Sequence, residues 1–125
     1  CTLIKALTCE ENTTITEVAK ILRKNKQRRI IIVDNNEYPI GIISTTDMNN
    51  KVVAENKLPG ELKAKQIMES PIYLICDIQH NLNDLYQKMV EHESYFVPVT
   101  KDGKVFGILT YGELFKRIKE VVKNG

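Results

Sequence analysis

Two short polar corners hold the residue types best suited to chemistry. Ser44-Thr45-Thr46-Asp47 follows the apolar run Gly41-Ile42-Ile43, and Thr110-Tyr111-Gly112-Glu113 follows Gly107-Ile108-Leu109. In each corner a hydroxyl precedes a carboxylate by three residues, and that spacing has two readings. It is the spacing of a capping box, in which side chain and backbone satisfy one another at a helix start. The same pair is also able to hold a ligand, because a carboxylate accepts from vicinal hydroxyls and a hydroxyl donates to an anion. Spacing alone favours the cap at both corners, and Thr110 with Glu113 fits it better because Glu is the preferred partner.

Other reactive residue types carry less. Arg23 to Arg29 places five basic residues in seven, which reads as a solvated helix end whose cations complement the helix dipole. The functional alternative has Arg28 or Arg29, just before the next strand, reaching a ligand phosphate. Cys9 and Cys76 stand at equivalent places in two similar segments and read as small buried hydrophobes. Cys76, His80 and His92 lack the paired spacing of a metal site. No phosphate-cradling glycine loop and no nucleophile elbow occurs, which argues against an enzyme.

The elements that position the corners come from a repeat. Residues 7–22 overlie 74–89 at a constant shift of 67: Leu7 meets Leu74, Cys9 meets Cys76, Thr14 meets Asn81 and Glu17 meets Asp84. Further on the shift is 66, so that Val33 meets Val99 and Gly41 meets Gly107. Each copy predicts a short strand (Ile4–Leu7, Tyr73–Cys76) and then a helix capped at Thr14 or Asn81. The helix stripes are Ile15, Val18, Ala19, Leu22 and Leu82, Leu85, Met89, intervals that turn one face to a core. A hairpin follows, with turn signals at Asp34-Asn35-Asn36 and Asp102-Gly103. A second helix closes each copy, over about 45–54 and 111–122. The order β-α-β-β-α therefore occurs twice. The first motif is expected over residues 1–56, a linker broken by Pro59-Gly60 over 57–66, and the second motif over 67–125.

Composition bounds the partners. The 125 residues are 42% hydrophobic and 27% charged, with a net charge of +2. Residues 1–62 and 63–125 each carry nine basic and eight acidic side chains, so no basic footprint for nucleic acid or a membrane surface emerges. The longest aliphatic run, Ile30 to Val33, is too short to insert directly into a bilayer. An odd count of three cysteines fits a reducing, cytoplasmic setting. A chain that opens on Cys1 and has no signal peptide reads as part of a longer protein.

A tandem β-α-β-β-α unit carrying Gly41…Ser44-x-x-Asp47, with Phe96 to Gly107 as a second hairpin and Ile67 to Ile75 leading into the second copy, resembles the cystathionine-β-synthase (CBS) domain pair, or Bateman module. The resemblance covers about residues 2–122. It implies an α+β fold with the two motifs packed about a pseudo-twofold axis, and a regulatory role controlling an attached or partner domain. The Lys-Val-Val-Ala segment after Asp47 is similar to pairs that accompany cyclic-nucleotide-binding and nucleotidyltransferase domains in bacterial signalling proteins. In pairs that bind adenosine nucleotides, the Asp takes the ribose hydroxyls and the Ser or Thr contacts phosphate. For the first cleft this implies Ile4, Lys5, Ala6, Arg29, Ile31, Ser44, Thr46 and Asp47. For a weaker second cleft it implies Ile72, Tyr73, Phe96, Pro98, Thr110 and Glu113, where Glu stands in place of the usual Asp. The implied ligand is AMP, ADP or ATP, with no other cofactor, and the implied assembly is a homodimer. A module with unoccupied clefts, used only for dimerisation or docking, is the alternative.

Overall fold

The computed structural model describes residues 3–110, Gly112 and Lys116, with Leu82 described by its backbone alone. The chain divides into two compact units, residues 7–73 and residues 1–6 with 74–125. Each unit contains a three-stranded mixed sheet whose strands lie side by side in chain order.

In the first unit β1 (Thr8–Glu10) pairs parallel with β2 (Arg29–Val33), and β2 pairs antiparallel with β3 (Pro39–Ser44). A parallel pair needs a crossover, and helix α1 (Ile15–Asn25) supplies it. Thr14 caps α1 by accepting the Glu17 N–H at 3.3 Å, the residue the spacing singled out. Ile15, Val18 and Leu22 are buried in the core of this unit with Ile30, Ile32 and Ile43, whereas Ala19 is exposed. Ala19 therefore lies just outside the apolar stripe. After α1 the chain reverses at Lys26, whose φ is 53°. Gln27 N–H reaches the Leu22 carbonyl (3.0 Å) and Lys26 N–H the Arg23 carbonyl (3.2 Å), which closes the helix in a Schellman motif.

The second unit repeats this plan with β4 (Cys76–Asp77), α4 (Leu82–Glu91), β5 (Phe96–Lys101) and β6 (Lys104–Thr110). Asn81 caps α4 by accepting from Asn83 N–H at 2.9 Å, one residue earlier than its spacing to Asp84 implied. Leu85 and Met89 join Cys76, Val97, Val99 and Leu109 in a second core. Glu93, with φ 50°, closes α4 with the same pair of bonds that Lys26 uses. Asp102 and Gly103 both have positive φ (53° and 82°), the signature of a two-residue hairpin turn.

The first strand of each copy lies later than expected, at Thr8–Glu10 and Cys76–Asp77 rather than Ile4–Leu7 and Tyr73–Cys76. Ile4 instead forms an antiparallel bridge with Ile108, inside the unit that holds the second copy. The glycines shared by the two copies explain themselves at this point. Leu3 crosses Gly107, where an added Cβ would lie 3.0 Å from the Leu3 Cβ, and Met68 crosses Gly41 in the same manner, 2.7 Å from its Cγ. A side chain at Gly41 would displace Met68, and one at Gly107 would press on Leu3 and the Ile4 carbonyl, because another segment already occupies the space.

Candidate functional site

The Ser44–Asp47 corner forms where β3 runs into α2 (Thr45–Met48). Ser44 ends the ladder opposite Arg29, and the Thr45 N–H donates to the Arg28 carbonyl at 3.0 Å, so the strand and the helix start share one anchor. The full capping box is present: Asp47 N–H donates to Ser44 Oγ at 3.1 Å, and Ser44 N–H donates to Asp47 Oδ2 at 2.8 Å. Ser44 Oγ is also 3.1 Å from the same Oδ2. Asp47 is 8% exposed, one of two buried polar side chains among the described residues.

The other carboxylate oxygen, Oδ1, lies 3.3 Å from Lys51 Nζ. Lys51 sits in a π-helical stretch, Asn49–Val53, where the Ala54 N–H reaches back to the Asn49 carbonyl at 2.8 Å. Such widened turns re-aim side chains and recur at functional sites. The same ammonium donates to Glu69 Oε1 and to the Ile67 carbonyl, each at 2.9 Å. Burial would lower its pKa, but the hydrogen bond to Glu69 and the charge of Asp47 outweigh that and hold it above the ordinary lysine value.

The structure brings some predicted site residues together and separates others. Arg29, Ile31, Ser44, Thr46 and Asp47 lie in one unit on β2, β3 and α2, with Ile31 fully buried and Thr46 exposed. Ile4, Lys5 and Ala6 belong to the other unit. Phe96, Pro98 and Thr110 lie on paired strands of that other unit, with Phe96 opposite Thr110 and Pro98 opposite Ile108. Ile72 and the exposed Tyr73 belong to the first unit. Glu113 lies outside the described residues, as does most of the second closing helix. Both expected sets thus draw on the two units.

Sequence reasoning missed Lys51 and Glu69. Lys51 was legible in principle, being four residues after Asp47 on a helical segment. Glu69 carried no local signal, since it arrives eighteen residues further along. Among the described residues no group of three or more His, Cys, Asp and Glu side chains is placed to hold a metal ion. In the second unit a hollow of about 200 Å³ lies against Cys76, His80, Asn81 and Leu85. The matching place in the first unit is filled by the segment leading into α3 (Ala64–Ile67), whose Leu62 carbonyl takes the Ile15 N–H and whose Ala64 N–H donates to the Thr13 carbonyl.

Comparison with known proteins agrees with this architecture. The CBS domain family matches residues 4–54 and again 64–120. Among curated proteins, the uncharacterized protein MK0525 of Methanopyrus kandleri is 31% identical over 104 residues, covering 82% of this chain and 53% of its own length. Protein MJ1404 of Methanocaldococcus jannaschii is 28% identical over 128 residues, covering 94% of this chain and 30% of its own length. The chain thus spans about half, or less, of these relatives. Among solved structures, OpuCA of Staphylococcus aureus superposes with a TM-score of 0.80 at 21% identity, covering 95% of this chain and 97% of that one. At that identity the likeness establishes the fold.

Proposed function

Because this chain belongs to the CBS domain family, as two tandem CBS motifs, we propose that it senses an adenosine-containing nucleotide (AMP, ADP or ATP) through Ser44 and Asp47. CBS domains are regulatory modules that commonly bind adenosine ligands, and the proposal concerns which residues of this chain do so. The observation that carries it is the state of the Asp47 carboxylate. Oδ2 is committed to the two Ser44 donors, while among the described residues the polar contact of Oδ1 is the ion pair with Lys51 at 3.3 Å. A carboxylate oxygen accepts two hydrogen bonds, so Oδ1 keeps a place for a ribose hydroxyl. Arg29, across the ladder from Ser44, is the cation nearest in register for phosphate.

Signalling follows from differential affinity. A nucleotide that favours one arrangement of the module shifts its population, and an attached or partner domain reads the shift; equal affinity for both would signal nothing. A homodimer formed through the CBS motifs is part of this reading.

The test is Asp47→Ala. Nucleotide affinity falls tenfold or more, about 1.4 kcal/mol, with the fold retained. A second reading, a dimerisation or docking module, is favoured by the capping box itself, which gives Asp47 a structural task. On that reading Asp47→Ala costs only the cap, about 1 kcal/mol of stability, and leaves no binding to lose.

A further inference from the structure

Three groups converge on one ammonium. Lys51 Nζ holds Asp47 Oδ1 at 3.3 Å, Glu69 Oε1 at 2.9 Å and the Ile67 carbonyl at 2.9 Å. The ammonium donates hydrogen bonds to Glu69 and to the Ile67 carbonyl and forms an ion pair with Asp47. Two of the partners belong to the segment that leaves the first motif and leads into the second. That segment is also fastened to β3 through its backbone: Glu69 N–H donates to the Ile42 carbonyl at 2.9 Å and Ile42 N–H to the Glu69 carbonyl at 3.1 Å. Ser70 Oγ adds a bond to the Ile40 carbonyl at 2.8 Å.

We infer that Lys51 is the positioning residue that couples the Asp47 carboxylate to the Ile67–Glu69 segment, so that a hydroxyl ligand arriving on Asp47 changes how firmly that segment is held. The transmission to ligand rests on the nucleotide reading above; the mechanical coupling does not. Asp47 Oδ1 is both the oxygen with spare acceptor capacity and the oxygen that Lys51 holds. A hydroxyl donating there shares the oxygen with the ammonium, which withdraws charge from the Lys51 contact. Lys51 then leans on its two other acceptors, both on the segment. The raised Lys51 pKa agrees with an ammonium held by two carboxylates at once. Coupling of this kind is reciprocal: whatever ligand does to the segment, the segment does to ligand affinity.

The reporters are the Ile42 and Glu69 amides, followed by hydrogen exchange on the whole chain. ATP and AMP are the probes. In the unaltered protein, saturating nucleotide changes exchange at both amides severalfold. Lys51→Met keeps the aliphatic stem and removes the charge; it still binds nucleotide, and the exchange response disappears. Lys51→Arg restores it. An equal response in Lys51→Met overturns the inference. Should Lys51→Met fail to bind, Glu69→Gln decides, since it keeps the Asp47 contact while weakening the segment's; binding without the response supports coupling, and an unchanged response contradicts it. If the unaltered protein binds no nucleotide, the nucleotide reading fails and the coupling is read without ligand. Asp47→Asn then speeds exchange at Ile42 and Glu69, and does so no further when combined with Lys51→Met. The same added effect in both backgrounds defeats the coupling as well.

Discussion

Asp47 is buried by a structural task, the capping box with Ser44, and the proposed nucleotide site rests on the same carboxylate. Its place was legible because capping is local chemistry: a Ser three residues ahead of an acid after an apolar run fixes both the helix start and the carboxylate. Its connection to Glu69 was not legible, because it depends on how the chain returns to β3. Both described cysteines are free thiols, Cys9 half-buried and Cys76 buried. Burial, with the charge of Glu10 adding to it and a hydrogen bond from Thr13 opposing, pushes the Cys9 thiol from 9.0 up to about 11. Burial, aided by Asp77, raises Cys76 as well. A raised folded-state pKa leaves stability whole below the unfolded value and erodes it as pH climbs toward the folded one. Denaturation between pH 9 and 11 therefore shows a loss of stability that Cys9→Ala reduces. An equal loss in Cys9→Ala would assign the alkaline instability elsewhere. At pH 8 both thiols react more slowly with an alkylating reagent than in the urea-unfolded chain.

At the level of elements, the helices were easier to read than the strands that precede them. Thr14 announced α1 because an N-cap and an apolar stripe are both set within a few residues. The run Leu3-Ile4-Lys5-Ala6-Leu7 has strand-like apolarity, yet the ladder to Ile31–Val33 falls on Thr8–Glu10. The partner of Ile4 is Ile108, and no local pattern reveals a pairing that distant. Two devices repeated in the elements make predictions. Lys26 and Glu93 adopt left-handed φ at the ends of α1 and α4, a conformation that costs a side-chain-bearing residue about 1–2 kcal/mol. Glycine avoids that cost while adding unfolded-state entropy, so Lys26→Gly raises stability by several tenths to about 1 kcal/mol in urea unfolding. At Gly41 the added methyl of Gly41→Ala meets Met68, and overpacking of this kind costs about 1–3 kcal/mol. In a double-mutant cycle the penalty shrinks once Met68→Ala has cleared the space.

For the whole molecule, tandem repetition was the strongest signal in the sequence, because the 67- and 66-residue shifts align caps, glycines and cores together. What it could not reveal is that residues 1–6 group with the second motif and residues 57–73 with the first. Each copy's sheet is crossed by the chain leading into the other copy, a relation invisible to local periodicity. Leu3 packs on the core of the second unit and lies over Gly107. Leu3→Ala therefore speeds hydrogen exchange at Ile108 and its neighbours, with little change at Ile30 to Ile32. Uniform acceleration across both sheets would show that the two cores open as one. No helix among the described residues is long and apolar enough to cross a membrane. Light scattering of the purified chain tests the proposed homodimer by its mass, with and without nucleotide. The most direct measurement is titration calorimetry of the chain and its Asp47→Ala variant against AMP, ADP and ATP. The proposed nucleotide sensor gives saturable heat near one nucleotide per chain, with affinity lowered at least tenfold in the variant. Well-folded protein that gives no heat with any of the three, or a variant that binds as tightly as the original, would contradict it.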